Sequence, residues 1–225
     1  VEGPVAIGDG GRLLKPDERA RIGDAVRQAE GRTRAEIVPM IVSRSGLYRD
    51  ARHRAGLILA LLALTALLML ETAWLPWSWD SENAVWLVLC TVAAYAVGAL
   101  AGTWSPIVRL VTSRERMRQK VRLRAERAFA QHAISQTRER TGVLLMLSVL
   151  EHGVYVLPDR KVARLVSADQ WNEVVQFVVD QVHFDDLAGA LCTGVIRCGD
   201  ILARACPATS NENPNEISDN VIEES

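Results

Sequence analysis

Residues 84–108 read AVWLVLCTVAAYAVGALAGTWSPIV, which is 25 consecutive positions without a charged side chain. An earlier uncharged run covers residues 55–70, and its apolar character continues to about Trp77 if Glu71 lies at an interface. A helix needs about 20 apolar residues to cross roughly 30 Å of hydrocarbon. The two runs therefore predict a transmembrane helical hairpin over residues 55–108.

Tryptophans bracket these two runs, and five of the six in the chain fall between positions 74 and 104. Indole rings are enriched where lipid meets water, because they combine an apolar body with a polar N–H group. We expect Trp74, Trp77, Trp79 and Trp86 at one membrane boundary and Trp104 near the other. The alternative is a helical hairpin buried in a soluble core. That alternative would leave unexplained both these tryptophans and the arginines that flank the hairpin on one side only, described next.

Lysine and arginine lie on only one side of the predicted hairpin. Arginines precede the first run at positions 44, 49, 52 and 54, and eight cations follow the second run between positions 109 and 127. The connecting residues 71–83 contain none. Basic residues next to membrane spans are retained in the cytoplasm. We therefore predict an inner (cytoplasmic) membrane protein with two spans, both termini in the cytoplasm and the turn outside.

All of the cations after the second run except Arg109 belong to a predicted helix over residues 113–138. Close to a membrane, each cation would attract anionic headgroups by about 1 kcal/mol. No nucleic-acid-binding motif accompanies them. The sequence therefore predicts the lipid bilayer as a partner, with anionic lipids at the basic helix, and no nucleic acid.

Residues outside the hairpin number 171, enough for one compact domain. Pro16 begins a predicted helix, residues 36–42, 143–149 and 154–157 have strand patterns, and residues 162–166 suggest a further short strand. Strands that alternate with helices indicate an α/β fold with a small sheet flanked by helices. The hairpin interrupts this domain, so residues 12–54 must fold together with residues 109–206. We expect residues 1–11 to be flexible and the acidic tail, residues 207–225, to be disordered.

Catalytic and metal-binding motifs are not evident in the sequence. The cysteines at positions 90, 192, 198 and 206 and the histidines at positions 53, 132, 152 and 183 share no zinc-ligand spacing. We therefore predict no metal and no cofactor. The candidate polar site consists of Glu36, Asp159, Arg160 and Asp169, which lie near strand ends, where α/β folds place ligands. The alternative is that Asp159 and Arg160 form a solvated turn and that Asp169 complements a helix dipole.

Three phrases of the sequence resemble the TPM-domain family, which is related to a thylakoid-lumen phosphatase. They are TRAEIV at residues 33–38, TGVLLMLS at residues 141–148 and VYVLPDRK at residues 154–161. Similar bacterial proteins carry a membrane hairpin in this place and an ending like NPNEI at residues 213–217. The resemblance implies a TPM-like α/β fold and a phosphatase-type hydrolase activity.

The sequence departs from the family pattern after the third phrase. Many members have a Gly-x-Gly-Leu-Glu-Gly block and an aspartate there, which are linked to metal binding. This chain has ARLVSAD at residues 163–169, with no glycine and one carboxylate. We therefore predict a non-catalytic accessory or scaffold that helps to assemble or turn over another membrane protein. The alternative, implied by the resemblance, is a weak phosphatase-type hydrolase.

Overall fold

The computed structural model describes residues 13–46, 48–74, 81–181, 186–208 and 216–224. The chain forms two compact units. One contains Val1–Gly46 and Arg118–Ser225 and is called the sheet unit below; the other is Leu47–Met117, the helix-pair unit. Two segments far apart in sequence thus form one sheet-containing unit.

The described helices and strands alternate along the chain. The helices are α1 (Pro16–Glu30), α2 (Arg49–Trp74), α3 (Ser81–Ala101), α4 (Ser105–Val111), α5 (Arg114–Gln131), α6 (Arg160–Leu165), α7 (Ala168–Gln181) and α8 (Leu187–Ala205). The strands are β1 (Ile37–Val42), β2 (Val143–Ser148), β3 (Gly153–Pro158) and β4 (Ile222–Glu224). Over the described residues the sheet has the order β3-β2-β1-β4. β1 is parallel to β2 and β4, while β3 is antiparallel to β2.

Both faces of the sheet are covered, which explains why β1 and β2 are continuous apolar runs. On one face, alternate side chains such as Ile41 and Leu145 pack against apolar residues of α1, α7 and α8. On the other face, Met40 and Met146 pack against apolar residues of α5. The predicted α/β fold with a small sheet flanked by helices is confirmed.

Pro39 has no backbone N–H, but the sheet loses no hydrogen bond at this position of β1. Val143 N donates to Glu36 O at 2.8 Å and Ser43 N donates to Glu224 O at 3.0 Å, so alternate residues of β1 face β2 and β4. Pro39 belongs to the set that faces the β4 side, and β4 begins to pair only at Met40. The missing N–H therefore lies where the sheet has no strand partner, as expected for proline at a sheet edge.

Two predicted elements differ from the structure. The short strand predicted over residues 162–166 is wrong, because α6 occupies this segment and Asp159 caps it by accepting from Arg160 N. The long helix predicted over residues 113–138 ends at Gln131. Ala133 then adopts a left-handed conformation with φ of 53°, and a short 3-10 helix follows.

The tail also differs from its prediction where the structure describes it. Disorder was expected for residues 207–225, but Ile222–Glu224 form β4 beside β1. The acidic side chains of the tail find cationic partners on other elements, including Arg19 for Glu223 and Arg124 for Glu224. The partners lie 78 or more positions away, so the local composition did not indicate them.

Candidate membrane-anchoring site and candidate polar site

Helices α2 and α3 are long and apolar enough to cross a membrane. Asp50–Leu70 has a mean hydropathy of 2.0 and Ala84–Ala101 a mean hydropathy of 2.1. Only 11% and 6% of these two segments are buried within the chain. The core helices of a soluble protein are mostly buried, whereas these two segments are mostly exposed.

Large apolar side chains of both helices face outward. Leu61, Met69, Val88 and Leu100 are among those exposed by half or more. In water such surfaces are unfavourable by about 25 cal/mol per Å² of apolar area. Soluble monomers rarely expose contiguous apolar patches of more than a few hundred Å². The surface chemistry of this helix pair therefore matches a hydrocarbon environment.

Glycines let α2 and α3 approach each other closely. A Cβ at Gly98 would lie 2.7 Å from Ala55 O and 2.9 Å from Gly56 Cα, which are backbone positions that cannot move aside. A Cβ at Gly102 would lie 2.8 Å from Arg52 Cα. Small residues spaced four apart are the usual contact of helices packed within membranes. The helix pair thus has a packed interface in addition to its apolar outer surface.

One polar contact joins the same two helices. His53 Nδ1 and Tyr95 Oη are 2.8 Å apart. The Tyr95 ring also limits the space above Gly56, since a Cβ there would lie 2.8 Å from Tyr95 Cε2. A hydrogen bond and a tight aromatic contact therefore fix the pairing of the helices near the start of α2.

The predicted interface tryptophans are described only in part. Trp86 and Trp104 are 61% and 67% exposed. Trp74 is the last residue of α2, and Trp77 and Trp79 lie outside the described residues. Both of these indoles are exposed, and their interfacial role stays a prediction.

The candidate polar residues separate into a buried pair and an exposed pair. Glu36 and Asp159 are 3% and 4% exposed. Glu36 precedes β1 and Asp159 follows β3. The parallel pairing of β1 with β2 and the antiparallel pairing of β3 with β2 bring both residues to the end of the sheet where β2 begins. Arg160 is exposed on α6, and Asp169 is exposed in the first turn of α7. This end of the sheet is the amino end of β1 and β2, opposite to the end where α/β sheets usually bind ligands.

Asp159 has a structural role in addition to its position. Its Oδ1 accepts a hydrogen bond from Arg160 N at 2.6 Å, and its own N–H donates to Gly142 O at 2.8 Å. Its Oδ2 is buried and has no hydrogen-bond partner among the described residues. The side chain thus caps α6, and the backbone N–H ties the end of β3 to the segment before β2.

Glu36 lies within a group of carboxyl groups that the sequence did not reveal. Its Oε2 accepts from Ile217 N at 3.3 Å. Glu30 Oε1 accepts from Ile37 N at 2.7 Å. Burial raises the pKa of Glu36, and the nearby carboxylates of Glu216 and Asp219 add to this effect. Burial also raises the pKa of Glu30 from 4.5 to about 8, with smaller contributions from Glu36 and Asp219.

Sequence reasoning missed Glu30 because it is one of many glutamates on helices. The available signal was slight, namely a carboxylate directly after buried Ala29 in α1. Glu30, Glu36 and Asp219 are called the carboxyl cluster below. It lies where the tail meets β1, so its charge state bears on how the tail is held.

Metal binding finds no support in the described residues. Within the described ranges no group of three or more His, Cys, Asp or Glu side chains could hold a metal ion. Cys198 is buried, and burial raises its pKa to about 12, which suits an inert thiol.

The tail is held in a seat formed by the edge of β1 and by cations of the sheet unit. Its carboxylates form ion pairs with side chains before and after the hairpin. The pairs are Arg19–Glu223, Arg27–Asp219, Arg124–Glu224 and Arg138–Glu216. His132 Nε2 also lies 3.3 Å from a carboxylate oxygen of Glu224. The groups that contact residues 216–224 are called the tail seat below.

Comparisons with known proteins bear on the fold alone. The NMR structure of the BA42 protein from the psychrophilic bacterium Bizionia argentinensis sp. nov. is similar, with a TM-score of 0.55 and 16% sequence identity. The similarity covers 96% of this chain and 98% of that chain. No protein-family model matches the chain, and no curated protein matches it. At this identity the likeness supports the α/β architecture and carries no statement about activity.

Proposed function

We propose that this chain is an integral membrane protein anchored by α2 and α3, and that its sheet unit is a non-catalytic accessory or scaffold for other membrane proteins. The observation that carries the proposal is the pair of apolar helices whose membrane-length segments are only 11% and 6% buried within the chain. Hydrocarbon is the environment that removes this surface from water. The anchor would concentrate the sheet unit at the membrane surface.

The proposed location is the inner membrane of a bacterium, with both termini in the cytoplasm. Its support is the distribution of Lys and Arg, which flank the hairpin and are absent from residues 71–83. Cations of α5, such as Arg116 and Arg118, would then lie where anionic headgroups are available. The partner class we propose is therefore a membrane protein, together with the bilayer.

We also propose that the sheet unit is TPM-like. The three phrases that carry the resemblance fall at β1, β2 and β3 with their preceding or following turns. The order helix, strand, hairpin, strand, strand agrees with that resemblance.

A scaffold is favoured over a phosphatase because the four candidate polar residues do not form one reactive group. Glu36 is occupied by a backbone N–H of the tail and Asp159 by the first turn of α6. A phosphate hydrolase needs a nucleophile or metal-bound water together with anion clamps. The buried carboxyl groups here hold backbone instead.

The experiment that tests the proposal is extraction followed by cysteine labelling. Membranes from cells that express the chain are washed with alkaline carbonate, and we expect the chain to stay in the pellet. Single cysteines are then placed at Ser81, Asp9 and Asn211 in a chain whose four native cysteines are replaced by alanine. A membrane-impermeant maleimide should label position 81 in intact cells and leave positions 9 and 211 unlabelled.

Permeabilised cells are the control, because all three positions should then react. Release of the chain by carbonate would contradict the anchor. Labelling of positions 9 and 211 but not of 81 in intact cells would contradict the orientation and would place the sheet unit outside the cytoplasm.

A further inference from the structure

The tail lies along the edge of β1 that β2 leaves open. Met40, Ile41 and Val42 pair in parallel with Ile222, Glu223 and Glu224. Ser43 N donates to Glu224 O at 3.0 Å, which extends the pairing by one bond. The three residues of β4 are each partly exposed. The edge of β1 thus accepts a short extended segment through backbone hydrogen bonds.

Cations from both sides of the sheet frame this edge. On the α1 side, Arg19 pairs with Glu223, and Leu13 N donates to the same carboxylate at 3.1 Å. On the α5 side, Arg124 pairs with Glu224, and His132 Nε2 lies 3.3 Å from it. Adjacent residues of a strand point to opposite faces. Two consecutive glutamates therefore satisfy cations on both faces of the sheet at once.

Apolar side chains complete the pattern that the seat accepts. Ile217 and Ile222 pack against the cluster formed by the α5 face of the sheet, and Val221 packs against the opposite cluster. Ile217 N also donates to Glu36 in the carboxyl cluster. The seat thus recognises an extended segment with aliphatic side chains followed by an acidic pair.

The way in which the tail is held favours exchange. Its contacts are a three-residue strand and partly exposed ion pairs, which are individually weak and screened by salt. A tethered segment is nevertheless retained, because a short connection gives an effective concentration in the millimolar range. A free acidic peptide of sufficient affinity could compete with it. Peptides commonly bind by adding a strand to an open sheet edge.

We propose that the tail seat is a docking site for an extended acidic segment of a partner protein, which adds to β1 as a parallel edge strand in place of residues 216–224. This inference rests on the proposed scaffold function and names the chemistry of the partner. The charge complementarity of Arg19 and Arg124 with an acidic pair selects the partner segment. The chain's own tail then limits access until that segment is present at high local concentration.

The test measures binding of a fluorescent peptide with the sequence of residues 216–224, EISDNVIEE, by anisotropy. The receptor is the chain in lipid nanodiscs, either complete or ending at Ala208. We expect the shortened chain to bind the peptide at least tenfold more tightly than the complete chain, whose own tail competes. A control peptide with the changes E223K and E224K, EISDNVIKK, should bind at least tenfold more weakly than EISDNVIEE.

A second receptor keeps the test decisive if the shortened chain does not fold. The complete chain with Glu223→Lys and Glu224→Lys retains every backbone atom of the tail but loses its acidic pair. It should bind EISDNVIEE more tightly than the unchanged chain does. If neither receptor binds this peptide above the level of the unchanged chain, the proposal is wrong. Tail-dependent dimers in mass photometry would also overturn it, because the occupant would then be a second copy.

Failure of this inference is distinguishable from failure of the anchor. Retention in the carbonate-washed pellet does not depend on residues 216–224, whereas peptide binding does. A chain that stays in the membrane but never accepts the peptide would keep the anchoring proposal and remove the docking site.

Discussion

Glu30 is the side chain whose protonation most directly links charge to stability. Its carboxyl group accepts from Ile37 N at 2.7 Å, and burial raises its pKa from 4.5 to about 8. The folded protein therefore binds this proton more tightly than the unfolded chain does. The corresponding stabilisation is fully present below about pH 4.5 and is lost as the pH rises through about 8.

Glu30→Gln should reduce this loss of stability at high pH. Glutamine keeps an acceptor oxygen for Ile37 N but cannot ionise. We expect the melting temperature of the unchanged chain to fall between pH 5 and pH 9, and that of the variant to fall less. At pH 9 the pH-dependent loss of unfolding free energy should be smaller in the variant by about 1–3 kcal/mol. Glu36, whose pKa is also raised, should leave a residual slope in the same direction. The measurement is thermal unfolding in detergent across this pH range.

The matched control for Glu30 is Glu173→Gln, which removes an exposed carboxylate from α7. Its pH profile should coincide with that of the unchanged chain. A Glu30→Gln variant that loses stability equally at every pH would show that Glu30 acts only through packing and hydrogen bonding.

Asp159 should behave as a helix cap and not as a catalytic group. Asp159→Ala removes the acceptor for Arg160 N and should lower stability by about 1 kcal/mol, while Asp159→Asn should lower it less. Mg²⁺ or Mn²⁺ should leave the melting temperature unchanged, although binding at 100 times the dissociation constant would add about 2.7 kcal/mol. Phosphatase turnover that disappears in Asp159→Ala or Asp169→Ala would contradict this expectation.

Local side-chain roles were predictable when their partners are close in sequence. The sequence SADQ at residues 167–170 has the form of a capping box, and Ser167 N donates to Gln170 Oε1 at 3.2 Å in the structure. The position before an apolar run predicts Asp185 or Asp186 as the cap of α8, and Asp186 accepts from Gly189 N. Glu36, by contrast, accepts a hydrogen bond from Ile217 N, which is 181 positions away. No local pattern carries that information.

At the scale of elements, β1 and β2 were predictable because a buried parallel pair leaves continuous apolar runs. Residues 162–166 contain two valines and a leucine, a short run that predicts a strand although it mostly forms α6. So short a segment does not distinguish the helical spacing of apolar residues from the alternation of a strand. β4 was missed because its stability comes from cations on α1 and α5, whereas its own sequence is acidic and polar.

The pairing of α2 with α3 should depend on the absence of a side chain at Gly98. Gly98→Val would place its Cβ 2.7 Å from Ala55 O, so the helices would have to separate. We expect a loss of about 1–3 kcal/mol in mixed-micelle unfolding, because overpacking a closely packed contact forces backbone shifts. Ala96→Val is the control, since Ala96 is exposed on the same helix. Equal effects of the two changes would show that the glycine contact is unimportant.

At the scale of the whole molecule, the chain builds one unit from two separated segments and places the apolar helices between them. Val1–Gly46 and Arg118–Ser225 form the sheet unit, and β1 of the first segment pairs with β2 of the second. The first segment has one strand, β1, which needs a partner from the second segment to form a sheet. Strand order and the position of β4 were not predictable, since they depend on contacts between distant residues.

The two segments meet at a point where a short linker can replace the hairpin. A Cβ on Gly46 would lie 2.9 Å from Lys120 Cδ, so the end of the first segment is adjacent to the start of the second. A linker of about six residues reaches up to about 20 Å. Replacing Leu47–Met117 with such a linker should give a water-soluble protein that unfolds in one transition, because β1 and β2 share a core.

Trp171 makes the cooperativity of this shortened protein measurable. It is the only tryptophan outside residues 47–117, and it is buried on α7 in the second segment. Ile41 lies in the first segment and is fully buried in β1. Ile41→Ala should cost about 2–5 kcal/mol, and the lower melting temperature should be seen both by Trp171 fluorescence and by circular dichroism. If the Trp171 transition does not move, the two segments fold independently and do not form one domain.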